Sequence, residues 1–455
     1  MTHPAIALGL LAGALAAPPM PAEAPGDRPP LTLRDGDRVV LVGDALIERM
    51  QDSGHLETLL TAAHPDKAIT FRNLGWSGDT VFGEARAGFG TPEDGFKELV
   101  AQVKAAEPTV LVVGYGANES WAGDAGLPRF RDGYNRLLDE LEATGAREII
   151  LLSPIPHGTS GRFQFEGGPH NADVRRYADE IGAIAEARGH RFIDVDAAIR
   201  SYPTVSLEDI EAGKRPPPNL GHATYAADGI HLDERGQDSL ASWLASRLFD
   251  VHGWVPTAGI TAGDEIAVRA AHCTISDATA WPDGLRFRFT RSTLVVSPGE
   301  APGPSQGSIR VEGLPEGRYR VRCDGEPLPR GHGGVRLSRV QIDDWFSYAI
   351  ADGATSVGLT VVPGALFVDT GPDLEQFEQL RQAITAKNRL YFHRYRPQNS
   401  TYLFGFRKHE QGNNAVEVEE FARLVAEAEA EIARLKVPRP HLYELERIDE
   451  EDADR

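Results

Sequence analysis

The stretch Asp37-Arg38-Val39-Val40-Leu41-Val42-Gly43-Asp44-Ala45-Leu46 decides the architecture. Val39–Val42 is an unbroken apolar run of strand length, which reads as a strand buried on both faces. It stops at Gly43-Asp44, and apolar residues then recur at helical spacing: Leu46, Ile47, Met50, Leu56, Leu59 and Leu60. That spacing predicts one helix over Leu46–Ala63. The unit repeats along the chain. Strands are expected at Ile69–Leu74, Thr109–Tyr115, Glu148–Leu152 and Phe192–Val195. Helices are expected at Phe96–Ala106, Phe130–Ala143, Val174–Ala187 and Ser239–Phe249. Buried strands alternating with helices imply an α/β fold with a doubly wound parallel sheet. In such a sheet ligands sit beyond the carboxyl ends of the strands.

Beyond Gly253 the texture changes. Short runs such as Leu285–Thr290 and Tyr319–Cys323 are punctuated by Gly, Pro and Asp, which predicts a small all-β, sandwich-like module. From Leu374 the pattern is helical again. The expected organisation is an export signal over residues 1–24, an α/β domain over 31–252, a β module over 258–370, a helical arm over 373–438 and an acidic tail over 439–455. A chain of 455 residues is long enough for this many units.

Composition narrows the partners. Hydrophobic residues make up 41% and charged residues 25%, an ordinary globular balance. The net charge of -20 supplies no basic face to neutralise phosphates, so no nucleic-acid partner is expected, and an anionic membrane surface would repel the chain. Ile6–Ala17 is too short to span a bilayer. Candidate A-x-A sites lie at its end, Ala14–Ala16, and just beyond it, Ala22–Ala24, and it reads as an export signal despite an n-region without Lys or Arg. The expected location is therefore periplasmic or extracellular. Two cysteines, Cys273 and Cys323, exclude a Cys-rich metal site; they fit either one disulfide or two buried thiols.

Four segments fall in order at the expected strand ends: Gly43-Asp44-Ala45-Leu46, Asn73-Leu74-Gly75-Trp76-Ser77-Gly78-Asp79-Thr80, Gly114-Tyr115-Gly116-Ala117-Asn118-Glu119 and Asp228-Gly229-Ile230-His231. Their order and spacing resemble the blocks of the SGNH (GDSL-like) hydrolases, and the resemblance covers about half the chain. It implies an ester hydrolase needing no cofactor and no metal. His231 would be the base, Asp228 would hold its imidazole in the useful tautomer, and Gly78, Asn118 and the Ala45 N–H would receive the oxyanion. Asp44, Trp76, Ser77, Tyr115 and Glu119 are candidates for substrate contact. The sequence departs from the family at two places. Ala45 stands where the family has its nucleophilic serine, and Glu119 stands where it has Asp.

A methyl group cannot attack a carbonyl. Either His231 activates a water or another hydroxyl acts, and Ser77, Thr80 and Ser120 are the nearby ones, each also suited to a turn or cap. The expected substrate is a small-molecule or glycan ester, with acylated carbohydrate as the class. The alternative is an inactive SGNH-fold protein that binds a glycan or a protein partner. A third possibility gives the binding role to the β module and basic arm, with the α/β domain as scaffold.

His157, His170 and His222 match no metal signature and read as surface histidines. Lys214–Pro218 reads as a stiff linker, and His409-Glu410 lacks the second histidine of a zinc motif. Lys387–His409 carries six basic residues, no acid and interleaved aromatics. It reads as an arm that packs on the acidic α/β domain, or as a surface for sugars or carboxylates.

Overall fold

A computed structural model describes residues 28–160, 165–200, 225–249, 251, 256–294, 308–315, 317–327, 347–350, 365–367, 372–398 and 400–448. The apolar N-terminal run, Lys214–Pro218, His222 and the residues after Ile448 lie outside these. Among the described residues no helix is long and apolar enough to cross a membrane.

Five parallel strands form the central sheet: β1 (Arg38–Gly43), β2 (Thr70–Asn73), β3 (Val110–Gly114), β4 (Glu148–Leu152) and β5 (Arg191–Ile193), in the order β2-β1-β3-β4-β5. This is the flavodoxin-like doubly wound order, whose switch point lies between β1 and β3. Alternation along each strand feeds two cores. Val39, Leu41, Val110 and Val112 face α1 (Ala45–Ser53), α2 (His55–Ala63) and α6 (Glu234–Phe249). Val40, Val42, Leu111 and Val113 face α3 (Pro92–Ala105), α4 (Gly123–Glu142) and α5 (Gly167–Arg188). The central strands β1, β3 and β4 are thus apolar along nearly their whole length, because they have no solvent face.

The expected single helix Leu46–Ala63 is two. Gly54 adopts φ 62°, and its N–H closes α1 on the Met50 carbonyl before α2 begins. Apolar periodicity continues through the break, so it alone did not register the glycine C-cap. α3 begins earlier than its apolar residues. Thr91 and Asp94 form a reciprocal capping box with Pro92 in the first turn. The expected strand Phe192–Val195 stops at Ile193, and Val195 opens a short helix to Arg200.

The β module is a two-sheet sandwich. One sheet contains β8 (Cys273–Trp281), β9 (Gly284–Arg291), β11 (Gly317–Cys323) and β13 (His441–Ile448). The other contains β6 (Thr257–Thr261), β7 (Ala267–Ala271), β10 (Ser308–Glu312) and β12 (Ala365–Phe367). Ile260, Ile309, Phe287, Phe289, Tyr319 and Tyr443 meet between them. β13 lies within the stretch expected to be an acidic tail, yet it pairs with both β9 and β11 and buries Tyr443 and Leu445. Cys273 and Cys323 are both buried free thiols.

The arm is two long helices, α7 (Pro372–Tyr395) and α8 (Ala415–Leu435). Phe377, Leu380 and Ile384 extend the core beneath α1 and α2. Lys387, almost fully buried, pairs with Glu57 at 2.8 Å, and the Tyr395 hydroxyl donates to the Gly75 carbonyl at 2.8 Å. The first half of the basic-aromatic segment is therefore packed on the α/β domain.

His441 ties the β module to the arm. Its Nδ1 lies 2.7 Å from Asp324 and its Nε2 3.3 Å from Asp373, which also takes a 3.0 Å bond from Arg291. Burial opposes charging the imidazole, but the two carboxylates outweigh it and raise its pKa above the usual 6.5. Its stabilising contribution is then complete below about pH 6.5 and is lost as pH rises through the raised folded value. Between pH 6 and 9 the melting temperature of the wild type should fall more than that of His441→Gln. Parallel curves for the two proteins would contradict this linkage.

Candidate active site

The cleft lies at the switch point between β1 and β3. It is lined by the ends of β1, β3 and β4 and by the loop that leads into α6, including Asp44, Ala45, Asn118, Ser153, His157 and His231. Two glycines let the first and third segments meet. Gly43 pairs with Gly114 across the β1–β3 ladder, and a Cβ on Gly43 would sit 2.2 Å from the Gly114 carbonyl oxygen. No side chain fits at position 43, so the chain can turn there directly into α1.

Asp44 is the N-cap of α1 and accepts the Leu46 N–H at 3.0 Å. Ala45 is the first helical residue, half-buried, with its methyl on the cleft. First-turn N–H groups have no partner inside the helix. Burial, with the charge of Asp79 adding to it, pushes the Asp44 carboxyl up to about 7.

Opposite stands the last segment. His231 Nδ1 lies 2.8 Å from Asp228 Oδ2, and Asp228 Oδ1 accepts the N–H groups of Ile230 (2.9 Å) and His231 (3.0 Å). Partial burial disfavours the carboxylate, but these bonds hold Asp228 ionised down to about 2. With Nδ1 directed at Asp228, Nε2 is the proton-accepting nitrogen. The loop is fixed by the Gly158 N–H on the Gly229 carbonyl (2.7 Å) and the Ala226 N–H on the His231 carbonyl (2.8 Å).

The remaining expected contacts divide. Asn118 reaches the cleft while donating one amide hydrogen to the Asp79 carbonyl at 2.7 Å. Gly78 has φ 79° on an exposed turn and does not line the cleft. Trp76, Ser77, Tyr115 and Glu119 do not line it either. Trp76 is stacked between Arg86 and Arg396, and the Ser77 N–H donates to Glu48. Tyr115 is fully buried and donates to Asp79 at 3.1 Å. Glu119 accepts the N–H groups of Val81 (2.8 Å) and Gly116 (3.0 Å), which staples the second segment to the third. Burial raises its carboxyl to about 8.

Arg86 and Asp79, both without exposed surface, form a 2.7 Å ion pair beneath these segments. Arg86 also donates to the Leu74 carbonyl at 2.8 Å.

The structure adds residues that motif spacing did not reach. His157 is buried and lines the cleft rather than lying on the surface. Burial and the neighbouring His170 and His231 depress its pKa to about 4, so it is neutral. Trp121, 56% exposed, also lines the cleft and stacks on His170 with ring centroids 3.7 Å apart. Ser120 Oγ lies 2.9 Å from His170 Nε2, and Asp173 lies 3.7 Å from the other ring nitrogen. The arrangement has the order of a triad, but Ser120 has no exposed surface and its hydroxyl also donates to the Ala117 carbonyl at 2.6 Å. A hydroxyl so enclosed cannot reach a carbonyl carbon.

No curated protein matches the chain. Among solved structures, a gut microbial diltiazem-metabolizing enzyme matches 94% of this chain and 100% of its own, with a TM-score of 0.62 and 15% identity, which is a likeness of fold. An acetyl xylan esterase matches 47% of this chain and 100% of its own at 17% identity and a TM-score of 0.34. An M. smegmatis aryl esterase matches 48% of this chain and 100% of its own at 15% identity and a TM-score of 0.34. Residues 42–238, which carry all four segments, match the GDSL-like Lipase/Acylhydrolase family, and this part of the chain is a GDSL-like lipase/acylhydrolase domain.

Proposed function

We propose that the chain hydrolyses esters of acylated carbohydrate with a water molecule in place of the serine. The observation that carries this reading is the oriented His231–Asp228 pair, 2.8 Å apart, on a cleft that also presents Ala45 and Asn118. His231 Nε2 takes a proton from a water held beside the Ala45 methyl. The resulting hydroxide attacks the acyl carbon, and the Asn118 amide and the Ala45 N–H stabilise the oxyanion. The tetrahedral species collapses, and the imidazolium returns its proton to the leaving alcohol. Asp228 stays ionised throughout and keeps the imidazole oriented. Support for a sugar comes from Trp121, an exposed aromatic surface backed by His170 at the cleft. Export through the N-terminal run belongs to the same proposal, because it would bring the protein to polysaccharide.

The test is hydrolysis of p-nitrophenyl acetate and of acetylated sugars by wild type and His231→Ala. General-base catalysis contributes about 10²–10⁴-fold, and a loss of that size is expected. Equal rates for the two proteins would overturn the reading. The Ala45 methyl itself favours a second reading, binding without turnover. In that case wild type and His231→Ala would both be silent, while acetylated sugar still changed the fluorescence of Trp121.

A further inference from the structure

Arg49 lies one helical turn beyond Ala45 on α1. Residues i and i+4 share a helix face, and Arg49 accordingly lines the same cleft as Ala45, Asn118 and His231. Its side chain is half-buried. The adjacent acid on α1, Glu48, is already engaged by Arg396 at 2.9 Å and by the Ser77 N–H. Asp52 is near enough for Arg49 to favour its charge, yet the two form no ion pair. Among the described residues no hydrogen bond or ion pair satisfies the five N–H donors of this guanidinium. A partly desolvated guanidinium beside a reaction cleft is well matched to a carboxylate, whose two oxygens fit its fork. Trp121 lines the same cleft.

We propose that Arg49 recognises an anionic group on the substrate, so that the ester taken by this cleft belongs to a carboxylated sugar whose ring lies on Trp121. The inference rests on the hydrolase reading for its kinetic arm only. A local cation has particular value here, because the chain as a whole carries a net charge of -20 and repels anions at long range.

The kinetic arm compares O-acetylated glucuronate with O-acetylated glucose on wild type, Arg49→Gln and Arg49→Lys. Charge-assisted hydrogen bonds of this kind correspond to about 10- to 100-fold in affinity. The ratio of kcat/KM for the acidic over the neutral sugar should fall by that factor in Arg49→Gln, through KM, and recover in part in Arg49→Lys. Because the ratio is taken on one preparation, misfolded protein cancels. The binding arm titrates free glucuronate against tryptophan fluorescence at low and high salt. Wild type should bind at least about tenfold more tightly than Arg49→Gln, and salt should shrink the difference. An unchanged ratio together with equal binding by the two proteins overturns the proposal. Binding that depends on Arg49 in a protein without turnover sustains it and removes the hydrolase reading instead.

Discussion

Ala45→Ser should raise kcat/KM toward p-nitrophenyl acetate by about 10²–10⁴-fold over wild type. The estimate is set below the about 10⁶-fold that a triad loses with its serine, because under the hydrolase reading the wild type already retains His231-assisted attack by water in the same cleft. The physical case is local. Position 45 is the first residue of α1, its side chain already faces the cleft, and the added Oγ needs no backbone change. Asp44 caps the helix through Leu46, so the turn that aims position 45 does not depend on its side chain. The new hydroxyl would share the cleft with His231, whose imidazole is oriented by Asp228.

Two measurements check this. A phosphonate reactive toward activated serines should label Ala45→Ser and not wild type, and adding His231→Ala should remove both the labelling and the rate gain. If Ala45→Ser neither labels nor accelerates, His231 Nε2 does not reach position 45, and the water mechanism loses its geometry as well. If Ala45→Ser alone turns over while wild type is silent, the pocket is an intact esterase site whose native role is binding.

The sheet and the order of the four segments were legible because buried parallel strands are apolar on both faces, and because each segment sits where a strand must end. Tyr115 and Glu119 show where that legibility stops. Both lie in the right segment, but Tyr115 continues the inward alternation of β3, and the Glu119 carboxyl is consumed by two backbone N–H groups. A motif fixes the position of a residue along the chain and leaves open whether its side chain faces the ligand or the scaffold. His157 is the converse. It follows Pro154 and Pro156 in no recognised pattern, and it reaches the cleft only because β4 ends beside β3.

The arm itself was expected from the sequence, but its partners were hidden for another reason. Lys387 and Glu57 are 330 residues apart, and no local pattern in either reports their pairing. By contrast, His441, Tyr443 and Leu445 alternate as a half-buried strand does. The acidity around them hid a period-two signal that was present. Arg49 was equally readable, four residues beyond Ala45 on a helix already expected.

Arg86→Met should destabilise the α/β domain by about 3–5 kcal/mol, the usual consequence of removing one member of a fully buried ion pair. Arg86 and Asp79 are both inaccessible, and the guanidinium also serves the Leu74 carbonyl and Gln102. Its removal strands the Asp79 carboxylate with the Tyr115 hydroxyl as its remaining side-chain partner. For a domain of this size, each kcal/mol shifts the melting temperature by about 2–4 °C, so a fall of roughly 6–20 °C is expected. Asp79→Asn in the same background should recover part of it, because the neutral amide is far easier to bury than the stranded charge. A double variant as unstable as Arg86→Met would show that the lost packing and carbonyl bond dominate, not the charge. The site should register the change as well. The Asp79 carbonyl fixes the Asn118 amide, and Asp79 belongs to the segment that Glu119 staples in place through the Val81 N–H. Under the hydrolase reading, kcat of the Arg86→Met variant measured well below its melting temperature should therefore fall further than the folded fraction does, with KM changing less. Oxyanion stabilisation acts on the transition state, whereas the cleft walls that hold the ground state rest on β4 and the His231 loop.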